Sequence, residues 1–231
     1  KQPLKIKNNN GRSIPIKYIL KIGSAQVKSA ILLASLNIKG QTKIIEKSPS
    51  RDHTEIMLKY FGAQIKIKKN EIILNSPNFL KPKDIHVPGD FSSAAFLIVA
   101  VLITENSRIT INNVGLNFYR TGLLDVLIKM GAKIKITNKK KINGEIVGDI
   151  FVESSTLKSI KLSEVIAPRL IDEYPILFVA ASFASGISSF KGLRELKFKE
   201  SNRLVEMADS LKKSGVDLKV EENSLTIKGK I

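Results

Sequence analysis

Met130-Gly131-Ala132-Lys133-Ile134-Lys135-Ile136 decides the fold, because the same phrase returns as Phe61-Gly62-Ala63-Gln64-Ile65-Lys66-Ile67 and as Ser214-Gly215-Val216-Asp217-Leu218-Lys219-Val220. In each, a glycine closes a helix, where left-handed backbone is needed, and an alternating strand follows. Upstream of the glycine lies an amphipathic helix, with Ile56, Met57, Tyr60 and Phe61 in one copy and Leu123, Leu124, Leu127 and Met130 in another. An arginine opens each helix: Arg51, Arg120 and Arg203. Before it comes a short strand (43–45, 108–111, 188–190), and before that a helix apolar nearly all round (27–36, 94–103, 176–183). A second strand follows the first after a turn (71–74, 149–152, 224–227). The repeating unit is strand, helix, strand, helix, strand, strand, and such self-similarity constrains a fold more than any single element does.

The apolar pattern inverts the usual α/β arrangement, in which strands are continuous apolar runs and helices are amphipathic. Here one helix per unit is the most hydrophobic element, while 64–68 alternates Ile with polar residues. The expectation is a pseudo-symmetric α/β protein with buried helices at its centre and half-exposed mixed sheets outside. An ordinary layered α+β domain is the alternative.

The chain has 231 residues, enough for one large or two small domains. It does not start with Met, and 225–231 reads as a strand stopping in mid-fold, so a piece of a longer protein is expected. There is no cysteine and only two histidines, His53 and His86, which leaves no thiolate or histidine cluster for a metal. The run 94–103 is too short to span a bilayer. A formal net charge of +17 welcomes anions, whether nucleic acid, a membrane surface or phosphorylated metabolites. Lysine, isoleucine and asparagine are enriched together, as an A+T-rich genome would produce. Tryptophan is absent and no aromatics interleave with the basic residues, which argues against a base-stacking nucleic-acid module.

Chemistry-bearing residues gather at helix starts. Lys199, Glu200 and Arg203 fall within one turn, where an apparent strand alternation (Leu196, Phe198) gives way to a helix marked by Leu204, Met207 and Leu211. Backbone N–H groups at a helix start favour anions, and two cations add to that. Read alone, the turn fits a solvated helix start equally well. The apolar helices open on Ser24-Ala25-Gln26, on Ser92-Ser93-Ala94 and on Asp172-Glu173-Tyr174. The serines are ordinary N-caps; Gln26 and the Asp172-Glu173 pair are less readily explained that way. Pseudo-symmetry would bring these helix starts to one face.

Five stretches in register resemble one family: 24–30 (Ser24-Ala25-Gln26-Val27-Lys28-Ser29-Ala30), 50–55 (Ser50-Arg51-Asp52-His53-Thr54-Glu55), 88–94 (Pro88-Gly89-Asp90 with Ser92-Ser93-Ala94), 171–175 (Ile171-Asp172-Glu173-Tyr174-Pro175) and 199–203 (Lys199-Glu200-Ser201-Asn202-Arg203). Together they look like 5-enolpyruvylshikimate-3-phosphate (EPSP) synthases, the 3-phosphoshikimate 1-carboxyvinyltransferases, over essentially the whole chain. The resemblance implies an inside-out α/β barrel of βαβαββ units, with buried parallel helices and outer mixed sheets. It also implies a domain boundary that puts residues 1–88, one unit plus the end of a preceding one, in a first domain and 89–231, two units, in a second. It implies a cytoplasmic, monomeric enzyme class without cofactor, and a longer protein whose remaining substrate contacts lie outside this chain, so that the chain alone is expected to be inactive.

The reaction implied is transfer of the enolpyruvyl group of phosphoenolpyruvate to the 5-hydroxyl of shikimate 3-phosphate, with release of phosphate, in chorismate and aromatic amino-acid biosynthesis. By motif, Asp172 and Glu200 match the catalytic acid/base residues. Ser24, Ala25, Gln26, Arg51, Asp172 and Lys199 match shikimate 3-phosphate contacts, and Gln26, Lys199 and Arg203 match phosphoenolpyruvate contacts. Arg120 is read as a helix-start residue and Glu173 as a structural neighbour. Asn202 stands where the family usually has aspartate; both cap helices, so the turn is expected to survive. The enolpyruvyl transferase acting on UDP-N-acetylglucosamine is the nearest rival and usually carries a loop cysteine, which this chain lacks.

Overall fold

The computed structural model describes residues 13–230. The end of a preceding unit, expected before residue 13, and the last residue of the expected closing strand, Ile231, lie outside the described residues. Contacts divide the chain into two compact bodies between Asp84 and Ile85. The segment 85–89 bonds into the second body. His86 donates its backbone N–H to Asn143 Oδ1 at 2.8 Å, and Gly89 forms a parallel bridge with Val114.

The first body holds one βαβαββ sequence: β1 (Lys17–Leu20), α1 (Ala25–Ser35), β2 (Gly40–Glu46), α2 (His53–Tyr60), β3 (Ile65–Lys68) and β4 (Glu71–Ser76). The sheet order is β1-β2-β4-β3, with β1 parallel to β2 and the other pairs antiparallel. Its core consists of Leu20, Leu32, Ile44, Leu58, Ala63, Ile65, Ile72 and Leu74. Helix α1 departs from the expectation of a helix buried all round. Lys28, Leu32 and Ser35 are buried, whereas Val27 and Leu33 are 42% and 54% exposed. Within this body α1 packs against β2 and β4, and its Lys28 and Ser29 reach Glu55 and Thr54 of α2.

The second body repeats the order twice. The middle copy comprises the Gly89 bridge, α3 (Phe91–Ile103), β5 (Arg108–Gly115), α4 (Gly122–Lys129), β6 (Lys133–Ile142) and β7 (Glu145–Glu153), with sheet order β5-β7-β6. The last copy comprises β8 (Lys161–Leu162), α5 (Tyr174–Ser182), β9 (Ile187–Lys191), α6 (Arg203–Lys213), β10 (Asp217–Val220) and β11 (Ser224–Lys228). Its order, β8-β9-β11-β10, is that of the first copy. Helix α5 has no exposed residue: it packs against α3, α6 and β11, with Tyr174 and Phe178 against Phe190 of β9. Helix α3 buries Phe91, Ala94, Ala95, Ile98, Val99 and Leu102 and leaves Phe96 and Leu97 about half exposed.

The recurring glycines do what the sequence requires of them. Gly62, Gly131 and Gly215 have φ of +93°, +96° and +81°, in the left-handed region at helix ends where a side chain would be strained. One local reading is corrected: 194–198 is a 3-10 turn, not a strand. With three residues per turn, positions three apart share a face, and Leu193 and Leu196 are both fully buried while Phe198 is 74% exposed. No helix among the described residues is long and apolar enough to cross a membrane.

Candidate active site

Asp172 sits between a 3-10 turn (Glu164–Arg169) and α5, and a neighbouring anchor fixes the segment that carries it. The Arg169 guanidinium lies 3.7 Å from the centre of the Phe118 ring, donates to the Phe118 carbonyl at 2.9 Å and pairs with Asp125 at 2.8 Å. Gly122, the first residue of α4, is what lets Arg169 approach. A Cβ there would lie 2.7 Å from the Arg169 carbonyl oxygen.

Residues from the start of α6 come to Asp172. Asn202 caps α6, its side-chain oxygen accepting the Val205 N–H at 3.3 Å, so the turn keeps its cap with asparagine in the place of aspartate. This puts Arg203 at the first helical position, where its guanidinium spans both carboxylates: one nitrogen lies 3.1 Å from Asp172 Oδ1 and the other 2.7 Å from Glu200 Oε2. Lys199 Nζ is 3.7 Å from the same Asp172 oxygen and 3.9 Å from Glu195. Four residues singled out in sequence, Asp172, Lys199, Glu200 and Arg203, therefore form one cluster. Asp172, Lys199 and Arg203 are about a quarter exposed, whereas the Glu200 side chain is 81% exposed. A backbone hydrogen bond and the Arg203 fork hold the Glu200 carboxyl below its usual range. For Arg203, burial works against the charged form but is outweighed by Glu200 and Asp172, which raise its pKa.

The remaining residues singled out in sequence belong to the first body. Ser24 is the N-cap of α1, its hydroxyl accepting the Val27 N–H at 3.3 Å; Ala25 and the exposed Gln26 form the first turn. Arg51, half-buried, stands two residues before α2. The structure thus places Ser24, Ala25, Gln26 and Arg51 at the openings of neighbouring helices.

The two residues read as structural, Arg120 and Glu173, lie in one chain of hydrogen bonds. Arg120 donates to Asp90 and to the Ser92 hydroxyl, both at 2.7 Å, and Ser92 donates in turn to Glu173, which is 2% exposed. This chain of bonds joins the starts of α3 and α5 and ends on the neighbour of Asp172. The matching positions of Arg51, Arg120 and Arg203 were the signal that could have drawn attention to it. Among the described residues no group of three His, Cys, Asp or Glu side chains is placed to hold a metal ion.

A sequence model of the family described as EPSP synthase (3-phosphoshikimate 1-carboxyvinyltransferase) matches residues 1–231. The chain is 49% identical over 216 residues to the 3-phosphoshikimate 1-carboxyvinyltransferase of Petrotoga mobilis, covering 93% of this chain and 50% of that protein. It is 45% identical over 228 residues to that of Geobacillus kaustophilus, covering 99% of this chain and 53% of that protein. It superposes on a solved EPSP synthase of Acinetobacter baumannii with a TM-score of 0.88 at 44% identity, covering 94% of this chain and 49% of that one. The enolpyruvyl transferase NikO of Streptomyces tendae, at 16% identity and a TM-score of 0.60, shares the fold. The chain spans about half the length of the curated relatives it matches.

Proposed function

Because the chain belongs to the EPSP synthase family, we propose that the protein carrying it transfers the enolpyruvyl group of phosphoenolpyruvate to the 5-hydroxyl of shikimate 3-phosphate and releases phosphate. The observation that carries this reading is the cluster in which Arg203 bridges Asp172 and Glu200 with Lys199 alongside. Two acids and two cations meet at the start of a capped helix, as the joining of two polyanions under acid/base control requires.

In the addition step, the 5-hydroxyl loses its proton as its oxygen bonds to C2 of phosphoenolpyruvate, and C3 gains a proton, giving a tetrahedral intermediate. In the elimination, C3 loses a proton and the C2–O bond to phosphate breaks. Asp172 binds the 5-hydroxyl and accepts its proton; Glu200 exchanges the proton at C3. Lys199 and Arg203 grip phosphoenolpyruvate and the departing phosphate, Lys199 also touching shikimate 3-phosphate. Ser24, Ala25, Gln26 and Arg51 hold shikimate 3-phosphate, and Gln26 also reaches phosphoenolpyruvate. Substrate oxygens that draw Arg203 away would leave Asp172 Oδ1 with Lys199 alone of these two cations. They would also take from Glu200 a partner that holds its pKa down. The anion itself thereby readies both acids.

We further propose the inside-out barrel arrangement for the complete fold. The half-exposed apolar positions Val27 and Leu33 on α1 and Phe96 and Leu97 on α3 support it, as faces suited to packing against further helices. The test of function is phosphate release by the full-length protein. It should require both substrates, and release that is absent, or independent of shikimate 3-phosphate, overturns the reading.

A further inference from the structure

The first body contains a charge cluster that the roles assigned above do not use. Lys28, on the second turn of α1, is fully buried, and so are Glu46 at the end of β2 and Glu55 on α2, at 7% and 1% exposure. The Lys28 ammonium lies 2.6 Å from Glu55 Oε1 and 3.2 and 3.3 Å from the two Glu46 oxygens, and it reaches the Ser50 carbonyl at 3.5 Å. The Ser50 hydroxyl donates to Glu46, and the Ser29 and Thr54 hydroxyls, 2.6 Å apart, form a second link between α1 and α2.

Stability alone gives a poor account of this arrangement. Removing three charges from water is costly, and well-packed apolar replacements for buried ion pairs are often neutral or stabilising. Glu55 Oε2 is buried without a hydrogen-bond partner among the described residues, which adds to the cost. Burial also pushes the Glu55 carboxyl up, against the pull of Lys28. What the cluster does supply is geometry. Lys28 lies four residues after Ser24, Ser50 is next to Arg51, and Glu55 lies four residues after Arg51. The two segments also pass close together before the helices begin, for a Cβ on Gly23 would lie 3.0 Å from the Ser48 carbonyl oxygen.

We infer that Lys28 is a positioning residue. Its buried ammonium, shared by Glu46, Glu55 and the Ser50 carbonyl, locks the opening turn of α1 to the Arg51 turn, so that Ser24, Gln26 and Arg51 meet shikimate 3-phosphate in fixed register. This inference rests on the function proposed above. A fully buried cation joining three chain segments gives one geometry to the two turns that carry Ser24, Gln26 and Arg51. Groups prearranged in this way bind without paying their ordering cost at the moment of binding.

The test uses the full-length protein with Lys28→Met and with Lys28→Met/Glu55→Gln, the second removing one charge of each sign. Wild-type activity is measured first. If it is absent, the proposed function fails, and the inference falls with it on separate grounds. With an active wild type, the folded variants should raise KM for shikimate 3-phosphate by about ten- to a hundredfold, the size of effect that follows small misplacement of binding groups. Values of kcat and of KM for phosphoenolpyruvate should change by much less. Unchanged KM for shikimate 3-phosphate in either folded variant overturns the inference. So does a loss that merely tracks the unfolded fraction, or failure of both variants to fold, since each assigns the cluster to stability alone.

Discussion

Asp172→Asn separates chemistry from architecture at the centre of the site. The substitution keeps the shape of the side chain and an acceptor for Arg203, and removes the charge. Asp172 pairs with Arg203 at 3.1 Å and with Lys199 at 3.7 Å, all three side chains being about a quarter exposed. Partly solvated pairs of this kind contribute about 0.2–1 kcal/mol each, so the loss of stability should stay below about 2 kcal/mol. Removing a group that accepts the hydroxyl proton should cost about 10²–10⁴ in turnover, or roughly 3–5.5 kcal/mol in the barrier. The two effects differ enough to be told apart. Urea unfolding followed by circular dichroism measures the first; phosphate release by the full-length protein with both substrates measures the second. A folded Asp172→Asn enzyme that turns over like the wild type would refute the role given to this carboxylate.

Other expectations follow from the second body. Asp90 caps α3 through the Ser93 N–H at 2.8 Å and pairs with Arg120 at 2.7 Å; Asp90→Ala should cost about 0.5–2 kcal/mol, and Asp90→Asn, which keeps a cap, clearly less. Burial works to raise the Asp90 pKa but is outweighed by the Ser93 bonds and Arg120, which hold it below the ordinary 3.8. Its contribution is therefore present above that value and lost as pH falls through the lower folded value, so the alanine variant should show a flatter acid limb in unfolding experiments. Equal costs for alanine and asparagine would show that the cap is not the term that matters. Gly122→Ala gains at most about 1 kcal/mol of helix propensity but places a methyl against the Arg169 backbone. Overpacking of about 1–3 kcal/mol should win, and a stabilised variant in thermal melts would contradict the close approach.

Much of the architecture is legible along the chain because it depends on near neighbours. Gly62, Gly131 and Gly215 close helices because left-handed backbone excludes most other residues, and the alternation after each follows from the two-residue period of a strand. The Asn202 cap is equally local, made to an N–H three residues on. The cluster of Lys199, Glu200 and Arg203 was half visible for the same reason, since positions within one turn must be neighbours. The error at 194–198 arose where the local signal is ambiguous. Alternating apolar residues mark a strand only if both find one buried face, and here Leu196 pairs with Leu193 while Phe198 turns to water.

What the sequence determined by itself was the repeat, the helix ends and the residue types gathered at those ends, because each follows from backbone geometry over a few positions. Only the tertiary structure decided that one apolar helix, α5, is enclosed while α1 keeps an open face, since enclosure depends on which elements pack alongside. It alone showed that Lys28, a single lysine in an apolar helix, is buried against Glu46 and Glu55. It alone brought Asp172 to Arg203, thirty-one residues further along. Electrostatic partners separated by whole elements leave no periodic trace in a sequence, because Coulomb attraction acts through space and the fold sets the distance.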